Sequence, residues 1–135
     1  MSLVKGLLEP SEHQIQVAYF DWIKVMTQND WRYHNIWATP NASKMSFALA
    51  NFMQAEGRRA GALDVNIAVP AGGYHGAFIE HKTRKGALTE EQVNFVNRLR
   101  ACGYFVLISR SAETSIDFTE CYMNDDEVTR FYVDV

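Results

Sequence analysis

Apolar side chains recur at helical spacing through Ile15, Ala18, Tyr19, Trp22, Ile23 and Met26. Ser11-Glu12-His13-Gln14 reads as a capping box after Pro10, so a helix is predicted from Ser11 to about Thr27. Tyr33 to Ala38 predicts a short strand. Thr39-Pro40-Asn41 then breaks the chain, and Ser43 to Glu56 has helical character. At Leu63 the period changes to two: Leu63, Val65, Ile67 and Val69 alternate with Asp64, Asn66 and Ala68. Pro70-Ala71-Gly72-Gly73 supplies a turn, and a second strand over Ala77 to Lys82 follows closely enough to form an antiparallel hairpin. Thr89-Glu90-Glu91-Gln92 is a second capping box, opening a helix through Val93, Phe95, Val96 and Leu99 that stops at Gly103. Tyr104 to Ile108 is nearly continuous in apolar residues, the pattern of a strand central in its sheet. A last helix is predicted from Ser111 to about Tyr122. The order helix, strand, helix, hairpin, helix, strand, helix predicts an α/β fold with a mixed β-sheet flanked by helices.

The 135 residues carry no internal repeat, low-complexity tract or linker. A short N-terminal tail (1–10) and one domain (11–135) are therefore expected. No apolar run approaches the roughly 20 residues a membrane helix needs. The N-terminus has no secretion-signal pattern, which makes the cytoplasm of a phage- or bacterium-encoded protein the expected location. Two cysteines, Cys102 and Cys121, are too few and too far apart for paired-cysteine zinc binding. Cys102 is expected to be a small buried thiol at a helix end. Trp31, Trp37 and the tyrosines are expected in the core rather than as base-stacking platforms.

A net charge of −3 argues at first against an acidic partner. Its distribution changes that picture. Residues 44–85 hold Lys44, Arg58, Arg59, Lys82, Arg84 and Lys85 against only Glu56, Asp64 and Glu80, whereas residues 86–135 hold four basic and nine acidic side chains. A locally basic middle can mark a phosphate-binding face, although a solvated charged surface accounts for it equally well.

The hairpin carries the candidate chemistry. Alternation puts Asp64 with Asn66 and Ala68 on one face of its first strand, and Phe78, Glu80 and Lys82 on one face of its second. If those faces coincide, two carboxylates and an amine converge. Two carboxylates repel unless a cation lies between them, and a hard cation such as magnesium suits oxygen donors plus water. Such an ion activates water and polarises a phosphoryl oxygen, so phosphodiester hydrolysis follows naturally. Glu-x-Lys alone is weak, since it also describes an exposed ion pair. Its context of an Asp on the preceding strand, a Gly-rich turn and a Gly-rich basic approach is rarer.

Three segments carry a resemblance: Gly57-Arg58-Arg59-Ala60-Gly61-Ala62-Leu63-Asp64, Gly76-Ala77-Phe78-Ile79-Glu80-His81-Lys82 and Gly86-Ala87-Leu88-Thr89-Glu90-Glu91-Gln92. With them the chain resembles the VRR-NUC domain, the virus-type replication-repair nuclease branch of the PD-(D/E)XK superfamily, over about Ser11 to Tyr122. Leu63 departs from the pattern, standing where the superfamily name records proline.

The resemblance implies a restriction-endonuclease-like core and a metal-dependent DNA endonuclease. Asp64, Glu80 and the main-chain carbonyl of His81 would hold Mg2+, with Mn2+ as a substitute and no organic cofactor. Lys82 would be the catalytic lysine. Glu12 would hold a second ion or its water, its alternative being a carboxylate favoured at a helix N-terminus. Gln92 would lie near the site or serve only as the partner of the Thr89 cap. Gln16, one turn after Glu12, is expected on a polar face. His75 and His81 are expected at a solvated turn or a phosphate rather than on a metal. Arg58, Arg59, Arg84, Lys85 and Lys44 would grip the nucleic-acid backbone. The implied substrate is branched DNA, cut by a homodimer in the manner of a Holliday-junction resolvase in replication or repair. End-, flap- or restriction-type cleavage is the alternative within the superfamily, and a non-catalytic DNA-binding module is the alternative outside it.

Overall fold

A computed structural model describes residues 9–40 and 45–135. The first helix, α1 (Glu12–Met26), starts where its capping box requires, with Ser11 accepting from the Gln14 amide and Gln14 returning the bond to the Ser11 N–H. Ile15, Tyr19 and Ile23 form its buried stripe, while Ala18 is exposed. The strand expected from Tyr33 is only half realised. Trp31–Asn35 is a 3₁₀ turn, because the Asp30 carboxylate accepts from the Arg32 backbone and side chain and tightens the chain there. Strand β1 (Ile36–Ala38) follows it. Helix α2 (Phe47–Ala55) is capped by Ser46 and is shorter than expected; residues 43 and 44 lie outside the described residues.

Strands β2 (Val65–Ile67) and β3 (Ala77–His81) form the expected antiparallel hairpin, with Val65 opposite Ile79 and Ile67 opposite Ala77. Helix α3 (Glu90–Ala101) leads to β4 (Phe105–Ser109), and α4 (Ala112–Met123) closes the core. The sheet order is β1-β2-β3-β4, antiparallel except for the parallel β3–β4 pair. The apolar strand β4 is thus at an edge and not central. Every one of its residues is nevertheless buried, because α3 covers one face and α4 the other; coverage by helices, not sheet position, explains its composition.

The larger core lies under α1 and α4, where Tyr19, Ile23, Phe118 and Tyr122 meet Val65, Ile67, Ile79, Phe105 and Leu107. A second cluster under α3 holds Val96, Val106 and Ile108. Leu63 belongs to this second cluster, not with Val65 and Ile67, since the chain bends at Asp64 before the ladder begins. Trp31 and Trp37 are exposed, contrary to the expectation of core burial, and Cys102 is an exposed free thiol. No helix among the described residues is long and apolar enough to cross a membrane.

Candidate active site

The β2–β3 register, continued by one residue, sets Asp64 opposite Glu80 on the sheet face that also carries Asn66 and Phe78. The Thr39 amide donates to the Asp64 carbonyl at 2.8 Å, extending the β1–β2 pairing to the same point. Asp64 Oδ2 accepts the His81 backbone N–H at 2.8 Å, so the carboxylate satisfies a strand donor that β2 has bent away from. The two acids and the amine predicted to converge do so. Lys82 Nζ is 3.7 Å from Glu80 Oε2, and a pocket of about 330 Å³ is lined by Glu12, Asp64, Glu80, Lys82, Gln92, Arg58 and Arg59.

Glu80 is the most constrained member, at 2% exposure. Its Oε2 accepts from Gln92 Nε2 at 3.0 Å, while Oε1 is buried with no partner. Burial, and then the neighbouring Asp64 carboxylate, push its pKa up to about 8. Burial also raises Asp64, against the pull of the His81 N–H. Two buried carboxyls whose proton affinity is raised despite Lys82, one of them with an unpartnered oxygen, are suited to a divalent cation. Among the described residues no three His, Cys, Asp or Glu side chains are grouped tightly enough to hold a metal alone. The donor set on hand, two carboxylates plus a main-chain carbonyl, suits magnesium, which would keep much of its own hydration. The His81 carbonyl projects toward the same edge as its N–H, and hence toward Asp64.

Gln92 has both roles offered to it: its Oε1 closes the capping box on the Thr89 N–H while its Nε2 holds Glu80. Glu12 lines the pocket from the first turn of α1. The His81 imidazole is neither solvated nor near phosphate. It projects to the opposite face, buried against Tyr19, with Nδ1 on the Gln16 carboxamide and Nε2 2.7 Å from Ser115 Oγ. Ser115 donates to Ser109, which donates to the Ser111 carbonyl. Burial lowers the His81 pKa to about 4, so the ring is neutral. Gln16 is therefore a buried-network partner and not an ordinary polar-face residue.

The basic residues divide. Arg58 and Arg59 line the pocket, and Arg58 Nε is buried without a partner. Arg84 and Lys85 do not line it; they are exposed on the loop after Lys82, with Arg84 3.6 Å from Glu9. That loop is held by Arg110, which donates to the carbonyls of Thr83 and Gly86 at 2.7 Å. Arg110, Thr39 and the Gln16–His81–Ser115 chain were not legible in the motifs, since their partners are distant in sequence. Lys44 lies outside the described residues.

No protein-family model and no curated protein matches the sequence. Among solved structures, a chain described as a VRR_NUC domain protein superposes with a TM-score of 0.71 at 20% identity, covering 87% of this chain and 92% of that one. The chain therefore has the VRR-NUC fold, a restriction-endonuclease-like α/β core.

Proposed function

We propose that this protein is a magnesium-dependent nuclease that hydrolyses phosphodiester bonds in DNA. The observation that carries the reading is the buried Glu80, paired with Asp64 and flanked by Lys82, in a pocket that also holds two arginines. Asp64, Glu80 and the His81 carbonyl would hold the ion, which supplies Lewis-acid polarisation of the phosphoryl group and a lowered pKa for water. Glu12 would reach it through water or a second ion.

The chain's own residues supply the rest. Lys82, fixed by Glu80, offsets charge developing on the phosphorane oxygens and orients the attacking water. Gln92 holds Glu80 in one rotamer. Arg58, with its unused buried donor, and Arg59 receive the phosphodiester backbone without reading bases. Arg84 and Lys85 extend that contact along the strand. The VRR_NUC likeness supports a nuclease of this superfamily. In this reading the preferred substrate is branched DNA, a homodimer presents two sites to it, and the reaction belongs to replication or repair inside the cell.

Labelled four-way junction, flap, duplex and single-stranded DNA, incubated with and without magnesium, test the reading. Asp64→Asn, which keeps an acceptor for the His81 N–H, is the matched control. Magnesium-dependent cleavage lost in this variant with DNA binding retained is expected. DNA binding without cleavage under any metal overturns the enzyme in favour of a binding module.

A further inference from the structure

The sheet face that carries the carboxylates does not end at them. Thr39, Asp64 and Glu80 form one row across it; two residues along the strands, about 7 Å away, Trp37, Asn66 and Phe78 form the next. The row after that, by the same register, is Ala68, Gly76 and Tyr104. Helix α3 covers the β4 side and leaves these rows open. They form a slot of about 270 Å³ whose walls are Trp37, Phe78 and Tyr104 and whose floor is the small residues Ala68 and Gly76. Phe78 and Tyr104 brace each other edge to face at 5.4 Å. A Cβ at position 76 would lie 2.8 Å from the Ile67 carbonyl oxygen and 3.4 Å from the Tyr104 ring, so the close approach of β2 requires glycine there and the slot floor is small as a result.

Trp37 is 51% exposed on an edge strand and, unlike the isolated Trp31, shares one cavity with Phe78 and Tyr104, a contiguous aromatic patch of the kind that marks a binding site. We infer that this slot stacks unpaired nucleobases of the strand whose backbone enters the adjoining acidic pocket. The inference rests on the nuclease reading and specifies its substrate: DNA with unpaired bases beside the cut. The two cavities divide the labour chemically. Among the described residues no lysine, arginine or acid lines the aromatic slot, whose polar lining is Asn66 and His75, and this suits a flat uncharged ring, while both pocket arginines sit beside the carboxylates and suit phosphate. They abut at one hydrogen bond, where Asn66 Nδ2 meets Thr39 Oγ1 at 2.9 Å. A second protein copy seated on Trp37 would obstruct the approach to Asp64 and Glu80 one row away.

Anisotropy of a labelled oligothymidylate and of a duplex of equal length, with calcium in place of magnesium, reads the slot apart from catalysis. Trp37→Ala should weaken capture of the unpaired strand about tenfold, change duplex binding little, and be rescued by Trp37→Phe. Trp31→Phe, exposed elsewhere, should leave both unchanged. Wild-type protein that holds the unpaired strand no more tightly than duplex overturns the inference. So does Trp37→Ala that loses both equally, or that changes oligomeric state with base preference intact. A protein that never cuts yet shows Trp37-dependent capture overturns the nuclease reading and leaves the slot standing. One that cuts with magnesium but captures unpaired strands independently of Trp37 does the reverse.

Discussion

Gln92 and Glu80 are joined by a 3.0 Å hydrogen bond that makes a helix cap part of the acidic pocket. The same carboxamide closes the Thr89 box from its other end, so α3 cannot start without presenting a donor to Glu80. One residue thereby couples a local folding signal to a long-range site.

Its two roles are separable. Gln92→Glu keeps a good capping-box partner but sets a third carboxylate against Glu80, so stability at pH 5 should change little while cleavage falls about tenfold or more. Gln92→Ala should lose both the cap, costing about 1 kcal/mol, and the hold on Glu80. Thermal melts beside nicking rates check the split; equal losses in both readouts for Gln92→Glu would refute it.

The raised Glu80 pKa links metal-free stability to pH. Its folded value of about 8 lies above the ordinary 4.5, so the contribution is fully present below 4.5 and is lost as pH rises through 8. Metal-free protein should therefore lose on the order of 4 kcal/mol over that span, and Glu80→Gln should flatten the loss. Magnesium added at pH 8 should raise the melting temperature of the wild type and not of Glu80→Gln. Denaturant titrations across the pH range measure both.

His81 acts in the opposite sense. Its pKa falls from 6.5 to about 4, so its contribution is present above 6.5 and is lost as pH drops through 4, on the order of 3 kcal/mol. His81→Asn should be about 2 kcal/mol less stable at neutral pH, from the lost packing and the Ser115 bond, and should lose less than wild type on acidification. The variant-minus-wild-type difference in unfolding free energy isolates this from Glu80.

Gly61 sets the approach to Asp64. It has φ +81, and a Cβ there would lie 2.6 Å from the Glu91 backbone carbon at the start of α3. Gly61→Ala should cost at least about 2 kcal/mol and displace Asp64, reducing magnesium affinity as well as stability. Calorimetric titration with magnesium reads the second effect. Unaltered affinity would show that the loop does not position the acid.

Local features were legible from the sequence alone. Both capping boxes form as written, because a cap and its N3 partner are fixed within four residues. Alternation through Asp64, Val65 and Asn66, and through Phe78, Glu80 and Lys82, grouped the candidate residues within each strand, and the antiparallel register then brought the two faces together. Only the tertiary structure decided where each strand sits and what covers it. Tyr104 to Ile108 reads as a central strand, yet β4 is an edge strand buried by α3 and α4. Trp37 reads as core, yet it lies half exposed on the edge strand β1. His81 gathers Gln16 and Ser115 from 65 and 34 residues away. Periodicity records which residues face together and is silent on what they face, because burial is settled by packing between segments remote in the chain.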